Sequence, residues 1–308
     1  MTQQRFYASI LVASLLIGAP ALVEAQTGAV AGNPAGAQSG GAAAGGPAGS
    51  NRLVADRAPF VALMTKLLRE NNPPPLDQLP PPPRDPKILQ GTWIADQLTA
   101  LRVVTDMYGN PLPLTPKGQQ VIDRREQANY VQHKPYANAG GMCLPPGQPW
   151  QLGMIYPFHI FQSKNSLEII FSEGHIVWGA PIGDAHSGER HGAPQYMGDS
   201  RAHWDGDTLV IETSNFKQPL WFDADGTPIS RQALLTFRLR RIDYGDPKLE
   251  IVTTVNDPVY FTKPWSIVRT YLWRPDFALF KEFDCEKNAN APDFLERYGY
   301  QIEPEDAQ

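Results

Sequence analysis

Residues 200–215 have the sequence SRAHWDGDTLVIETSN, which is the clearest hairpin pattern in the chain. Apolar side chains alternate with polar ones on either side of the central Asp205-Gly206-Asp207. Alternation with a period of two is typical of a strand with one buried face, and Asp-Gly between two such runs is a strong hairpin signal. The stretch therefore predicts two antiparallel strands joined by a tight turn.

Similar patterns on both sides of this hairpin predict more short strands, because they are rich in β-branched and aromatic residues and are separated by turn residues. The further predicted strands are Ile155–Gln162, Leu167–Phe171, His175–Trp178, Leu234–Ile242, Leu249–Val255, Trp265–Trp273 and Phe277–Cys285. Strands do not alternate with helices, which disfavours a parallel α/β fold. We expect a mainly β protein, an antiparallel barrel or sandwich of about 8–10 strands with one or two N-terminal helices.

The N-terminus has the layout of a secretory signal peptide. Arg5 supplies a positive charge, residues 6–23 are almost wholly apolar, and Val23-Glu24-Ala25 ends the run with small residues. A glycine and a proline interrupt the apolar run, so a membrane span is disfavoured. We expect residues 1–25 to be removed on export to the periplasm or the medium, leaving no stable membrane anchor.

The mature chain divides by composition into three parts. Residues 26–51 are rich in Ala and Gly and predict a disordered linker, because they bury too little apolar surface to offset their ordering entropy. Residues 52–142 predict an amphipathic helix, at Leu53–Glu70, and a proline-rich segment that wraps the surface. Residues 143–308 predict the β-barrel domain.

A second helix is predicted inside the wrapping segment. Thr115 suits the N-cap position and Pro116 the first helical position. This helix is expected to run as far as Tyr130.

Composition excludes several functional classes. The 308 residues carry a net charge of −5 without a Lys/Arg cluster, which disfavours a nucleic-acid partner. No phosphate-binding loop, nucleophile elbow or dinucleotide fingerprint stands in its required context, so no cofactor is predicted. Composition does not specify an oligomeric state.

Several motifs resemble those of a large family of secreted bacterial proteins. They are Cys143-Leu144-Pro145-Pro146-Gly147, the run from Trp204 to Phe216, Asp257-Pro258, Thr262-Lys263-Pro264-Trp265, and the run from Glu282 to Asn288. The resemblance covers about residues 143–290. That family is of undefined function, and a lipocalin-like β barrel is attributed to it. The resemblance therefore implies a lipocalin-like barrel and export, and it adds no chemistry.

The two cysteines, Cys143 and Cys285, form the predicted disulfide, since an exported protein meets an oxidising compartment. The long loop between them sets the stabilisation at about 4–5 kcal/mol at most. Two free buried thiols are the alternative. Two cysteines so far apart are not a zinc signature.

Four of the six histidines lie between residues 175 and 203, and they are the candidate acid/base residues. They are His175, His186, His191 and His203. A neutral imidazole acts as a base near neutral pH, and loops on a rigid scaffold often carry catalytic groups. The spacing matches no zinc motif, so no metal is predicted. The alternative is a polar, solvated loop.

Aromatic and arginine side chains are the candidate ligand-binding residues. The predicted set is Trp178, Tyr196, Trp204, Arg238, Trp265 and Tyr271. Arg238, Arg240 and Arg269 are each able to hold a carboxylate inside a barrel, although alternation alone does not say which face is inside. Ordinary core packing is the alternative for the aromatic residues.

These patterns favour an exported, soluble protein that binds a small, largely apolar molecule in a β-barrel pocket. The alternative is a cofactor-independent enzyme of the lyase, hydratase or isomerase type, with a loop histidine as general acid or base. Because barrels host both activities, the side chains that line the pocket have to distinguish them.

If the export prediction is correct, the mature protein begins at Gln26, because cleavage after Ala25 follows the small-residue pattern. Mass spectrometry of protein from a periplasmic extract measures this terminus. Chains that retain Met1 and fractionate with the membrane would contradict the prediction.

Overall fold

The computed structural model describes six stretches of the 308-residue chain: residues 78–96, 103–154, 156–183, 192–244, 246–276 and 299–304. Four predicted segments lie outside the described residues: the leader 1–25, the linker 26–51, the helix Leu53–Glu70 and the strand Phe277–Cys285. Those four stay predictions.

Within the described residues, nine strands form one antiparallel sheet and two more form a small separate hairpin. The sheet strands are β1 (Gly91–Ala95), β2 (Phe158–Gln162), β3 (Ser166–Phe171), β4 (Val177–Pro181), β5 (Asp199–Asp205), β6 (Thr208–Ser214), β9 (Leu234–Tyr244), β10 (Asp246–Asn256) and β11 (Trp265–Trp273). The separate hairpin consists of β7 (Leu220–Trp221) and β8 (Pro228–Ile229). The order across the sheet is β4-β3-β2-β1-β11-β10-β9-β6-β5.

The two edges of this sheet approach each other. Just after β4, Ile182 forms a bridge with Ala202 of β5, and the Gly183 N–H donates to the Ala202 carbonyl at 2.9 Å. Such contacts blunt the exposed edges of an open sheet. The result is a nearly closed barrel, which confirms the mainly β prediction and selects a barrel over a sandwich.

The predicted hairpin at residues 200–215 is confirmed. Strands β5 and β6 pair with Trp204 opposite Leu209 and Ala202 opposite Ile211. Gly206 adopts a φ of +61° in the turn between them, a conformation that glycine enters without the penalty of a Cβ. The sequence pattern therefore sets both the turn and the register.

Alternation along β9 separates the barrel interior from its outer face. Leu235, Phe237 and Leu239 are fully buried, whereas Arg238 and Arg240 point outward. The Phe237 ring packs edge-on against Trp178 of β4, with 4.8 Å between ring centroids. Side chains from distant strands thus meet at the centre of the barrel.

Strand β1 belongs to the barrel although it lies upstream of residues 143–308. It pairs with β2 on one side and β11 on the other, and all five of its residues are buried. Gly91 allows this packing, because a Cβ there would lie 2.0 Å from the Trp273 ring. Burial on both faces removes the alternation that would have identified the strand.

The helix predicted at Thr115 is confirmed. Helix α1 (Pro116–Glu126) continues as a π-helical turn over Gln127–Val131. The Thr115 hydroxyl accepts from the Gly118 N–H at 3.1 Å and donates to the Val259 carbonyl at 2.8 Å, which ties the helix to the β10–β11 loop. Of the helices that the structure describes, none has the length and apolarity that a membrane span requires.

A short helix and the small hairpin cover the inward-facing side chains of β11. Helix α2 (Gln148–Gly153) accepts hydrogen bonds from Arg269 at the Pro149 carbonyl (2.9 Å) and from Tyr271 at the Leu152 carbonyl (2.7 Å). Phe222, between β7 and β8, packs on Trp265 with 4.9 Å between ring centroids. We call α2 and residues 220–229 together the plug.

Truncation of Phe237 to alanine tests the packing of the barrel interior. The side chain is 0 % exposed, so Phe237→Ala should lower the free energy of unfolding by about 3–5 kcal/mol. Val268→Ala is the control, because Val268 faces outward from β11, is 38 % exposed and should cost less than about 1 kcal/mol. Chemical denaturation measures both values, and equal losses would contradict the assignment of faces.

Candidate ligand cleft outside the plug

The described candidate histidines lie in two separate elements. His175 is exposed in the β3–β4 turn, and His203 is half-buried on β5. His186 and His191 lie outside the described residues. Among the residues that the structure does describe, no group of three or more His, Cys, Asp or Glu side chains is arranged to hold a metal ion.

The predicted ligand-binding aromatics divide between the core and its margins. Trp178, Trp265 and Tyr271 are buried in the barrel core. Trp204 is partly buried against the core, with the Lys87 ammonium 5.7 Å from its ring. Tyr196 lines a cleft at the surface.

The three candidate arginines also divide between the two faces of the sheet. Arg238 pairs with Asp205 at 2.7 Å and Arg240 with Glu250 at 2.6 Å, both on the outer face. Arg269 points inward and lies under the plug. Of the three, Arg269 is therefore the one that faces the barrel interior.

A cleft with a volume of about 790 Å³ lies outside the barrel wall. It is bordered by α1, the loop before α2, the connection from β6 to β9, the β10–β11 loop and residues 302–303. Its lining residues are Lys117, Ala137, Met142, Leu144, Tyr196, Gln218, Pro219, Ser230, Arg231, Gln232, Val259, Tyr260, Ile302 and Glu303. Most of them come from loops, where no periodic pattern marks them in the sequence.

One side of the cleft carries hydrogen-bond donors without protein acceptors. Gln218 accepts from the Leu220 N–H through Oε1 at 3.0 Å, but its Nε2 is buried without a partner. Arg231 is exposed and forms no ion pair with any residue that the structure describes. An unpaired buried donor costs free energy unless a ligand or water satisfies it.

Two tyrosines add hydroxyl groups to the same cleft. Burial raises the pKa of Tyr196 and also that of Tyr260, where Asp257 adds to the rise and Arg125 opposes it. Both hydroxyls therefore stay protonated at neutral pH and remain able to donate. Lys217 lies 5.1 Å from the Tyr196 ring and Lys117 lies 5.4 Å from the Tyr260 ring, so the rim is cationic.

Glu303, the one carboxylate among the described lining residues, is neutralised by two arginines of α1. Arg125 binds it through Nη2 at 2.6 Å and Nε at 3.1 Å, and Arg124 forms a second ion pair with it. Arg125 also stacks on the Trp221 ring at 4.6 Å and donates to the Gly226 carbonyl at 2.6 Å. The Arg125–Glu303 ion pair therefore connects the segment of Glu303 to α1 and to the plug. Because Glu303 is paired, the described lining residues give the cleft no unpaired negative charge.

Hydrogen bonds to Asp257 position the donor side of the cleft. Its carboxylate accepts from the Ser230 N–H and the Ser230 hydroxyl, each at 2.7 Å, and from the Val259 N–H at 3.1 Å. Because Arg231 follows Ser230 and Tyr260 follows Val259, this one buried carboxylate orients both lining residues.

Cys143 lines a smaller cleft of about 430 Å³ on the other side of Leu144. Glu173 also lines it, and burial raises the pKa of that carboxyl group. Cys285 lies outside the described residues, so the disulfide stays a prediction.

Comparison of the chain with protein-family models, with curated proteins and with solved structures gave no match. The resemblance to a family of secreted bacterial proteins stays a prediction, and the barrel is the part of it that the structure confirms. The functional argument therefore rests on the cleft itself.

Loss of the Glu303 carboxylate should destabilise the protein. Glu303→Gln leaves two arginines without their partner, one of them buried, and should lower the free energy of unfolding by about 3–5 kcal/mol. Glu250→Gln breaks the more exposed pair with Arg240 and should cost at most about 1 kcal/mol. Thermal or chemical unfolding of both variants measures the difference, and similar losses would refute the structural role of Glu303.

Proposed function

We propose that the protein binds a small, largely apolar molecule carrying an acidic group, and that it does so in the cleft outside the plug. The observation that carries this proposal is a cleft that combines the unpartnered Gln218 amide donor and the exposed Arg231, which forms no ion pair with a described residue, with several apolar lining residues. A ligand with one carboxylate and a hydrocarbon body matches both sides of such a site.

The acidic group follows from the charges of the cleft. Arg231 and the Gln218 amide offer donors, and Glu303 is already paired. Hydrogen bonds from a guanidinium to a carboxylate are about twice as strong as neutral ones. A neutral ligand would leave the Arg231 charge without a counter-charge.

The apolar body follows from the rest of the lining and from the size of the cleft. Met142, Leu144, Pro219, Val259 and Ile302 form an apolar surface. Small-molecule sites typically enclose about 300–1,000 Å³ and combine mainly apolar walls with a few polar groups. The observed volume of about 790 Å³ lies within that range.

Binding in the cleft is favoured over binding in the barrel interior, because large side chains occupy the interior. Trp93, Trp178, Phe158, Phe237 and Tyr271 are all fully buried there. Their rings pack closely, with 4.9 Å between the centroids of Phe158 and Tyr271.

The enzyme alternative needs an acid/base histidine beside the ligand. Neither His175 nor His203 is among the lining residues of the cleft. Burial raises the pKa of the Tyr196 and Tyr260 hydroxyls, so both are protonated near neutral pH and neither is available to accept a proton there. Binding is accordingly the proposal that the cleft favours.

We also propose that this binding takes place outside the cytoplasm. The support is the signal-peptide layout of residues 1–25 and the pair Cys143 and Cys285, which an oxidising compartment would join. A disulfide at Cys143 would tether the loop that carries Leu144 beside the cleft.

Dodecanoate and dodecanol, which share a chain length and differ in charge, test the proposal. Dodecanoate should bind roughly 10–100 times more tightly, because only its carboxylate forms charge-assisted hydrogen bonds. Arg231→Gln should weaken dodecanoate binding by about tenfold and leave dodecanol unchanged. Isothermal titration calorimetry measures all four affinities.

Arg240→Gln is the matched control, because Arg240 is an exposed arginine on the outer face of the barrel. It should bind dodecanoate as the unmodified protein does. Equal affinities for the acid and the alcohol, or an acid affinity that ignores Arg231→Gln, would overturn the proposal.

A further inference from the structure

Arg269 is a buried arginine whose hydrogen-bonding capacity is mostly unused. It is 2 % exposed and points from β11 into the barrel beneath the plug. Nη1 donates to the Pro149 carbonyl at 2.9 Å, and the guanidinium lies 5.3 Å from the centre of the Phe222 ring. Nε and Nη2 are buried and have no partner.

The charge of Arg269 has no direct counter-charge among the described residues. Arginine does not lose its proton in proteins, so burial cannot neutralise it as it would a lysine. Burial lowers the pKa of Arg269, and Tyr271 and then Asp223 oppose this by smaller amounts, yet Asp223 forms no ion pair with the guanidinium. The Asp223 carboxylate already accepts four hydrogen bonds.

Two further unsatisfied groups lie on the same inner face of the barrel. Thr253 Oγ1 on β10 and Trp265 Nε1 on β11 are buried without partners. Ile251 pairs with Arg269 in the β10–β11 ladder, and Val255 pairs with Trp265, so Thr253 lies between the two levels. Trp265 and Arg269 also share contact with Phe222.

We propose that the Arg269 guanidinium holds one small anion, of the size of chloride, inside the barrel beneath the plug. The anion accepts hydrogen bonds from Nε and Nη2 and balances the buried charge. Ordered water would satisfy the donors, but an anion also brings a full negative charge into hydrogen-bond contact with the guanidinium, and charge-assisted hydrogen bonds are about twice as strong as neutral ones.

The size of the anion follows from the packing around Arg269. Phe222, Trp265 and Tyr271 are all buried, and Tyr271 is held against α2 by its hydrogen bond to the Leu152 carbonyl. The proposed ligand is therefore a small ion without a hydrocarbon chain. Arg269 does not line the cleft, so this site is independent of the proposed function.

Thermal unfolding in chloride and in gluconate at equal ionic strength tests the proposal, since gluconate is too large to enter. Above the dissociation constant, the Tm should rise by roughly 3–5 °C for each tenfold increase in chloride. Arg269→Met should abolish this rise, because it replaces the guanidinium with an apolar side chain of similar length. Arg240→Gln should retain it, since that arginine is exposed on the outer face of the barrel.

Bromide provides a direct second measurement that does not depend on a folded variant. Crystals of the unmodified protein grown in bromide should show an anomalous peak within contact distance of Nε and Nη2 of Arg269. A water molecule alone at that position would overturn the proposal. Equal Tm values in chloride and gluconate, or an unchanged chloride effect in Arg269→Met, would overturn it as well.

Discussion

Covering one end of the barrel core is the constraint on which the rest of this structure depends. Near closure of the sheet protects the strand edges along the wall, but it leaves the ends of the core open to water. Helix α2 and the β7–β8 hairpin lie across the inner ends of Trp265, Arg269 and Tyr271. Without the plug, two aromatic rings and a guanidinium would face solvent on one side and an apolar core on the other.

Holding the plug in place requires polar groups inside the fold. Asp223 binds the tip of the small hairpin, Asp257 binds the strand that leaves it, and Arg125 binds the Gly226 carbonyl from α1. Each side chain is buried and has several partners, so each fixes a loop rather than a ligand. The same contacts fix the loops, α1 and Glu303 around the cleft.

Local sequence patterns predicted the parts of the fold that local forces determine. The Asp-Gly turn set the β5–β6 hairpin, alternation set β9 and β10, and the Thr115-Pro116 cap set α1. Strand β1 was missed because both of its faces are buried, so its sequence does not alternate. Helix α2 was missed because its six residues depend on packing against the barrel and not on a local sequence pattern. The same distinction explains why the wall was easier to predict than the plug.

The candidate site was harder to predict than the fold. Tyr196 was predicted as one of the ligand-binding aromatics, but Gln218, Arg231 and Tyr260 carry no motif and meet only in three dimensions. For the arginines, alternation indicated which residues share a face of the sheet, but it did not indicate which face lies inside the barrel. The structure identifies the inner face of β9, because Leu235, Phe237 and Leu239 pack into the core. It identifies the inner face of β11, because Arg269 contacts α2.

The position of β1 also determines when the protein can acquire its structure during synthesis. Strand β1 ends at residue 95, and its partner β11 begins at residue 265, so the ribosome makes the whole intervening chain before the two can pair. Pairing between such distant segments is intrinsically slow. Until β11 emerges, the nascent chain has no complete barrel wall, and β1 lacks one of its two neighbouring strands.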